Sequence, residues 1–269
     1  MSPMTPQSFV RLVVEAVGRV RADASVKAGE GLSVRIDGHP FYLDNLWRMV
    51  LADTASAETI IARYFEQILS EENSGNGYRL GWYELKPQIM PRIQSDEVFQ
   101  RIEPARLPHR PWINGTVITF VRDHRDSMVS LLYEDIEGWG VGLEELDSTA
   151  TANLIQRSAL PRLRVKRHDS GGKHLLVRQC DGYDSARLLD EELRMRIAAE
   201  LGPTYLVGIP ARDLLIAFST EPHQFSENMA TWIGNAFERM PYPITPHRFL
   251  VTRDGIAGTL DHEVNDEPW

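Results

Sequence analysis

Asp181, Tyr183 and Asp184 in the stretch "CDGYDS", together with Arg212 and Asp213 in "IPARD", place carboxylates, a phenol and a guanidinium in two short turns. Carboxylates serve as general acids or bases or hold a divalent metal, and a guanidinium holds an anion. The two turns are separated in the chain, so an element must bring them together. The order strand (174–179), helix (184–200), strand (205–209) predicts a parallel crossover. Both turns then emerge at the carboxyl ends of neighbouring strands, where open sheets bind ligands. The same residues also fit structural work: Asp184 as helix N-cap, Gly182 as turn former, and Arg212 as the tie to a carboxylate. Both readings stay open at the level of sequence.

A second candidate surface is basic. Between Arg157 and Arg178 the chain carries seven Lys or Arg and one acid, Asp169, so the segment holds +6 while the remainder holds −15. In "RLRVKR", Arg162, Arg164 and Lys166 alternate with Leu163 and Val165, and Arg167 follows. Strand alternation puts the three cations on one exposed face, with both apolar side chains beneath. This is either an ordinary solvated edge strand or a stripe for an acidic protein or small anionic ligand. No aromatic residue interleaves the cations, which argues against single-stranded nucleic acid. The net charge of −9 disfavours nucleic acid for the surface as a whole.

Other chemistry is missing from the sequence. It has no phosphate loop of the G-x-x-x-x-G-K-[ST] type, no G-x-G-x-x-G, no G-x-S-x-G, no H-E-x-x-H and no C-x-x-C. No cofactor is therefore expected. Asp123, His124 and Asp126 in "RDHRD" read as a polar hairpin turn rather than a metal site, since a site needs further ligands at matched geometry. Cys180, the single cysteine, sits beside Asp181, whose charge opposes thiolate formation, so it reads as a packed or strand-end residue. One cysteine permits no internal disulfide and fits a reducing cytoplasm.

The elements around these candidates follow from periodicity and turn signals. Phe9, Val13, Ala16, Val17 and Val20 predict a helix over 5–21. "LSVRIDGHPFYL" predicts a hairpin about Asp37-Gly38. Asp44 and Ser56 are expected to cap the next two helices. "ELKPQIMPRI" is too proline-broken for a central strand. "TVITFV" and "SMVSLL" read as strands, Leu143 to Leu154 as a helix, and "TYLVGI" and "LLIAFS" as strands. A helix through Met229, Ile233 and Phe237, capped by Ser226, precedes a last hairpin about Asp254-Gly255.

The irregular mixture predicts an α+β fold, with mixed sheets and packed helices in two closely associated subdomains, 1–105 and 112–260, followed by an acidic tail, 261–269. With 269 residues, 42% of them hydrophobic, the chain can bury a core without disulfide or metal. No signal peptide is expected from Met1 to Gln7, and no apolar run is long enough to span a membrane.

The order of "YLDNLWRMV", "ETIIARYFEQIL", "VITFVRD", "LLYEDIEGWGVGLEELDSTATANL", "DGYDSARLL", "VGIPARDLLIAFS" and "PYPITPHRFLVTRDG" resembles the bacterial YtpQ-like family of uncharacterised proteins. The resemblance spans roughly Leu32 to Gly255. It implies a bacterial, soluble α+β protein, and it points to Asp181, Gly182, Tyr183, Asp184, Pro210, Arg212 and Asp213 as motif positions without assigning them an activity. The sequence thus favours a non-catalytic cytoplasmic binding or adaptor protein for a protein partner or small anionic ligand. The alternative is a hydrolase using the Asp181/Asp184/Arg212/Asp213 cluster, with or without a divalent metal.

Overall fold

A computed structural model describes residues 4–29, 31–37, 39–73, 81–100, 106–124, 127–158 and 163–258. The fold is α+β, and every strand pairing among the described residues is antiparallel. By internal contacts the chain forms two units: Met1–Leu80 with His124–Ser127 and Arg239–Tyr242, and the remaining residues from Gly81 onward. The division precedes the boundary expected between 105 and 112, because the strand at Ile89–Ser95 pairs along its whole length with Thr116–Arg122.

The first unit contains α1 (Pro6–Val20), β1 (Val26–Ala28), β2 (Ser33–Ile36), β3 (His39–Tyr42), α2 (Asp44–Ala52) and α3 (Ala57–Asn73). Thr5 caps α1 by accepting from the Ser8 amide, and the buried face Phe9, Val13, Ala16, Val17 repeats at helical spacing. That face meets Val34, Leu46, Ile61 and Phe65 in one core. Two expected caps are displaced. Asp44 is the first helical residue of α2, which has no side-chain cap, and its charge instead lies in the favourable first turn. Ser56 ends a short 3-10 helix that Asp53 caps by accepting the Ser56 amide.

The second unit continues with α4 (Trp82–Leu85), β4 (Ile89–Ser95), α5 (Asp96–Gln100), β5 (His109–Trp112), β6 (Thr116–His124), β7 (Ser127–Ser130), α6 (Tyr133–Trp139), α7 (Leu143–Arg157), β8 (Lys166–Arg167) and β9 (Lys173–Val177). Then come α8 (Glu191–Leu201), β10 (Tyr205–Ala211), β11 (Leu214–Ser219), α9 (His223–Arg239), β12 (Arg248–Thr252) and β13 (Gly255–Gly258). β6 lies between β4 and β5, so Pro91 sits in an edge strand, where its missing amide breaks no ladder. The larger sheet has the order β13-β12-β10-β11-β9-β8. All seven residues of β10 are buried, which explains its uninterrupted apolar run.

Helix α9 packs Phe225, Met229 and Ile233 onto Leu206, Ile216 and Phe218. It can lie this close because position 208 is glycine: a Cβ there would stand 2.5 Å from Ile233 Cδ1. The expected cap Ser226 is instead a buried residue inside α9, whose first turn is set by the Pro222 carbonyl accepting from the Phe225 and Ser226 amides. On the other face of the sheet, the Tyr205 hydroxyl donates to the Arg194 carbonyl and ties α8 down.

Candidate functional site

β9 and β10 do run parallel, but they are not neighbours: β11 lies between them and pairs antiparallel with both. The antiparallel hairpin β10–β11 fills the place the crossover expectation gave to a direct pair. The consequence for the site survives, because the carboxyl ends of β9 and β10 still share one end of the sheet. The Gly182 amide donates to Asp213 Oδ1 at 2.7 Å, and the Ser185 amide to the Arg212 carbonyl at 3.0 Å. Asp181, Asp184, Arg212 and Asp213 are thus brought together.

Local backbone explains how the loop reaches there. After β9 the chain adopts positive φ at Cys180 (56°) and at Gly182 (87°). The positive φ at position 182 favours glycine, and a Cβ there would have to displace the flexible end of Met128, 2.3 Å away. Cys180 is exposed at this bend beyond β9, which selects the strand-end reading over the packed one.

Asp184 does not cap a helix. Its side chain is fully buried, with Oδ1 accepting from the Gln179 amide at 2.9 Å and Oδ2 from the Cys180 amide at 2.8 Å. The long helix expected over 184–200 is broken into a 3-10 turn, Ala186–Leu189, and α8. The cap of α8 is Asp190, which accepts the Leu193 amide at 3.1 Å. Asp184 is drawn inward because a buried guanidinium lies beside it.

That guanidinium belongs to Arg187, which the sequence reasoning missed. Arg187 is fully buried. Its Nη1 donates to Asp181 Oδ1 at 2.8 Å and Asp184 Oδ1 at 2.9 Å, its Nη2 to Asp181 Oδ2 at 2.7 Å, and its Nε to Ser158 Oγ at 3.2 Å. The signal in the sequence was an arginine six and three residues beyond two aspartates, with only the arginine lying in the 3-10 turn Ala186–Leu189. Two more partners were noted for other reasons. Arg157, at the end of α7, donates to Asp123, approaches Asp181 at 3.5 Å, and sits 5.1 Å from the centre of the Tyr183 ring.

Tyr183 does not join the carboxylates. Its ring is fully buried with Met90, Val121, Leu154 and Ala186, and its hydroxyl makes no hydrogen bond. Burial pushes its proton affinity well above the ordinary phenol value. At Asp181, burial opposes ionisation, but the hydrogen bonds and charge of Arg187 outweigh it and hold the carboxyl below its usual range. Burial pushes Asp184 upward against the pull of the two amides and Arg187. Arg212 Nε and Nη2 both donate to Asp213 Oδ2, at 3.1 and 3.0 Å.

No family model, curated protein or solved structure matches the chain. The chemistry of the cluster therefore rests on its own geometry. Each of its four carboxylates, Asp123, Asp181, Asp184 and Asp213, already bonds a guanidinium, and Asp184 and Asp213 also bind backbone amides. Among the described residues, no group of three or more His, Cys, Asp and Glu is placed to hold a metal. Of the turn residues considered for one, Asp126 and the His124 side chain lie outside the described residues.

The basic candidates fall on and before the outer strand of the large sheet. Arg162 lies outside the described residues. Arg164, Lys166 and Arg167 are exposed, whereas Leu163 and Val165 are half-buried, so the alternation is retained although the regular strand is only Lys166–Arg167. Lys166 stands opposite His174, and Arg167 opposite Lys173. Consecutive strand residues point to opposite faces, so Arg167 does not share the face of Lys166. Among the described residues these three cations form no ion pair. In the first unit, a groove between α1 and α3 is lined by Arg19, Glu58, Arg63 and Glu66, which mix both signs.

Proposed function

We propose that the protein is a non-catalytic cytoplasmic binding protein that docks an acidic segment of a protein partner on the basic strand at Arg164–Arg167. The observation that carries this reading is a contrast. Every carboxylate of the cluster is paired with a guanidinium, so none stands ready as a base or nucleophile, while the basic strand displays unpaired charge on a chain of net −9. A polar group committed to a buried guanidinium is structural, and a solvated cation can exchange its water for a partner's carboxylate. The absence of a membrane-crossing helix among the described residues is compatible with this, as is the motif order that resembles the YtpQ-like family.

The test is titration of a fluorescent glutamate-rich peptide into wild type, into Arg164→Glu/Lys166→Glu, and into a charge-matched control, Arg11→Glu/Lys27→Glu. Wild type and control should bind alike and weaken with salt, and the hairpin variant should lose about tenfold or more in affinity. Equal loss in both variants would reduce the effect to net charge and end the docking reading.

A further inference from the structure

The β8–β9 hairpin holds two imidazoles against each other. His168 Nε2 lies 2.8 Å from His174 Nδ1, with ring centres 4.9 Å apart. One nitrogen must donate and the other accept. His168 also packs on Phe225, 4.8 Å away, in the first turn of α9. Gly172 makes room for this, since a Cβ there would lie 2.3 Å from the Phe225 ring. His174 stands opposite Lys166 on β8 and Phe218 on β11.

The outer strand has few other holds. It has two register pairs, Lys166–His174 and Arg167–Lys173, and beyond them the His168 amide donates to Gly172 and the Gly171 amide to His168. The imidazole bond is the side-chain link across this strand pair. It persists when the pair is neutral or carries one added proton. A second added proton leaves no acceptor and puts two cations in contact.

The surroundings oppose that second proton. Lys166 faces the pair from β8, and the first turn of α9, with the positive end of its helix dipole, meets it through Phe225, whereas Arg167 and Lys173 point to the other face. Asp169 in the turn and Glu221 before α9 are the acids nearby in sequence, and Asp169 is exposed.

We propose that the His168–His174 pair is a proton-operated latch: it holds β8 on the edge of the large sheet at neutral pH and releases it in mild acid, uncovering the Lys173-His174 end of β9. Burial first, then the charges of His168 and Lys166, keeps His174 below the ordinary imidazole value of 6.5. A folded-state value below the unfolded one means that the open or unfolded hairpin binds more protons. The latch is therefore fully closed above about pH 6.5 and weakens as pH falls below it. Once released, the Lys173-His174 backbone, the part of β9 that β8 pairs, becomes a free edge able to accept an added strand. This goes beyond charge-based docking and does not depend on it.

Amide hydrogen exchange of the full chain at about pH 7.5 and about pH 5, corrected for intrinsic rates, tests the latch. Protection at 166–174 should fall severalfold in acid, while β12 keeps its protection. In His168→Phe/His174→Phe, which keeps an aromatic ring on Phe225 and has no imidazole to protonate, hairpin protection should not change with pH. Imidazole nitrogen NMR of the wild type supplies a reading that needs no variant: His174 should titrate below 6.5. Independent titration of the two rings at the ordinary value would overturn the proposal. So would hairpin protection that ignores pH, or that falls equally in β12.

Discussion

Arg187 and Asp181 meet fork to fork, Nη1 to Oδ1 at 2.8 Å and Nη2 to Oδ2 at 2.7 Å, with the arginine wholly inside the protein and the aspartate at its margin. Asp184 and Ser158 complete the arginine's shell. The pair fastens the loop after β9 to the end of α7, and Asp213 fastens the same loop to the β10–β11 turn. It is a clasp at the sheet end where ligands are often found.

Removing the guanidinium should be severe. Arg187→Ala leaves two carboxylates facing each other, one of them fully buried, and is expected to cost about 3–5 kcal/mol. Urea unfolding measures it. A loss under about 1 kcal/mol would show that water replaces the arginine and that the clasp is soft.

Asp184 and Asp190 should differ in what they contribute. Asp190→Ala removes only a helix cap and should cost about 1 kcal/mol. Asp184→Ala strands the Gln179 and Cys180 amides and one side of Arg187, so its cost should exceed that of Asp190→Ala by about 2 kcal/mol or more. Equal losses in thermal unfolding would contradict the inward role of Asp184.

Asp181 sets an acid limit. Its folded-state carboxyl is held below the ordinary 3.8, so below that value the unfolded chain binds more protons. Its contribution is complete above 3.8 and disappears as pH falls through the folded value. Asp181→Asn should therefore be clearly less stable than wild type at about pH 6, with the gap closing at about pH 2–3. A gap that widened in acid would reverse the assigned direction.

The charge reversal of the basic strand carries a stability expectation as well. Arg164 and Lys166 are solvated, so Arg164→Glu/Lys166→Glu should shift the melting temperature by no more than a few degrees. Loss of folding would mean that the strip faces inward.

What the sequence determined by itself was local. The α1 face of Phe9, Val13 and Val17, the β10–β11 and β12–β13 hairpins and the buried run of β10 are each written in spacing that a neighbouring residue reads directly. The meeting of the two turns was also legible, because one helix between two strands leaves them parallel whether or not another strand slips between.

Tertiary structure alone decided where each charge went. Asp184 has the residue type of a cap, but Arg187, Ser158 and the bend at Cys180 offered more bonds inside than a helix end offered outside. Asp123 and Arg157 are distant in sequence from that turn and reach it only because β6 and α7 end there. Periodicity reports which side of an element is apolar. It carries no record of which buried ions will share one low-dielectric space, and there the balance between desolvation and pairing is struck only when the elements pack.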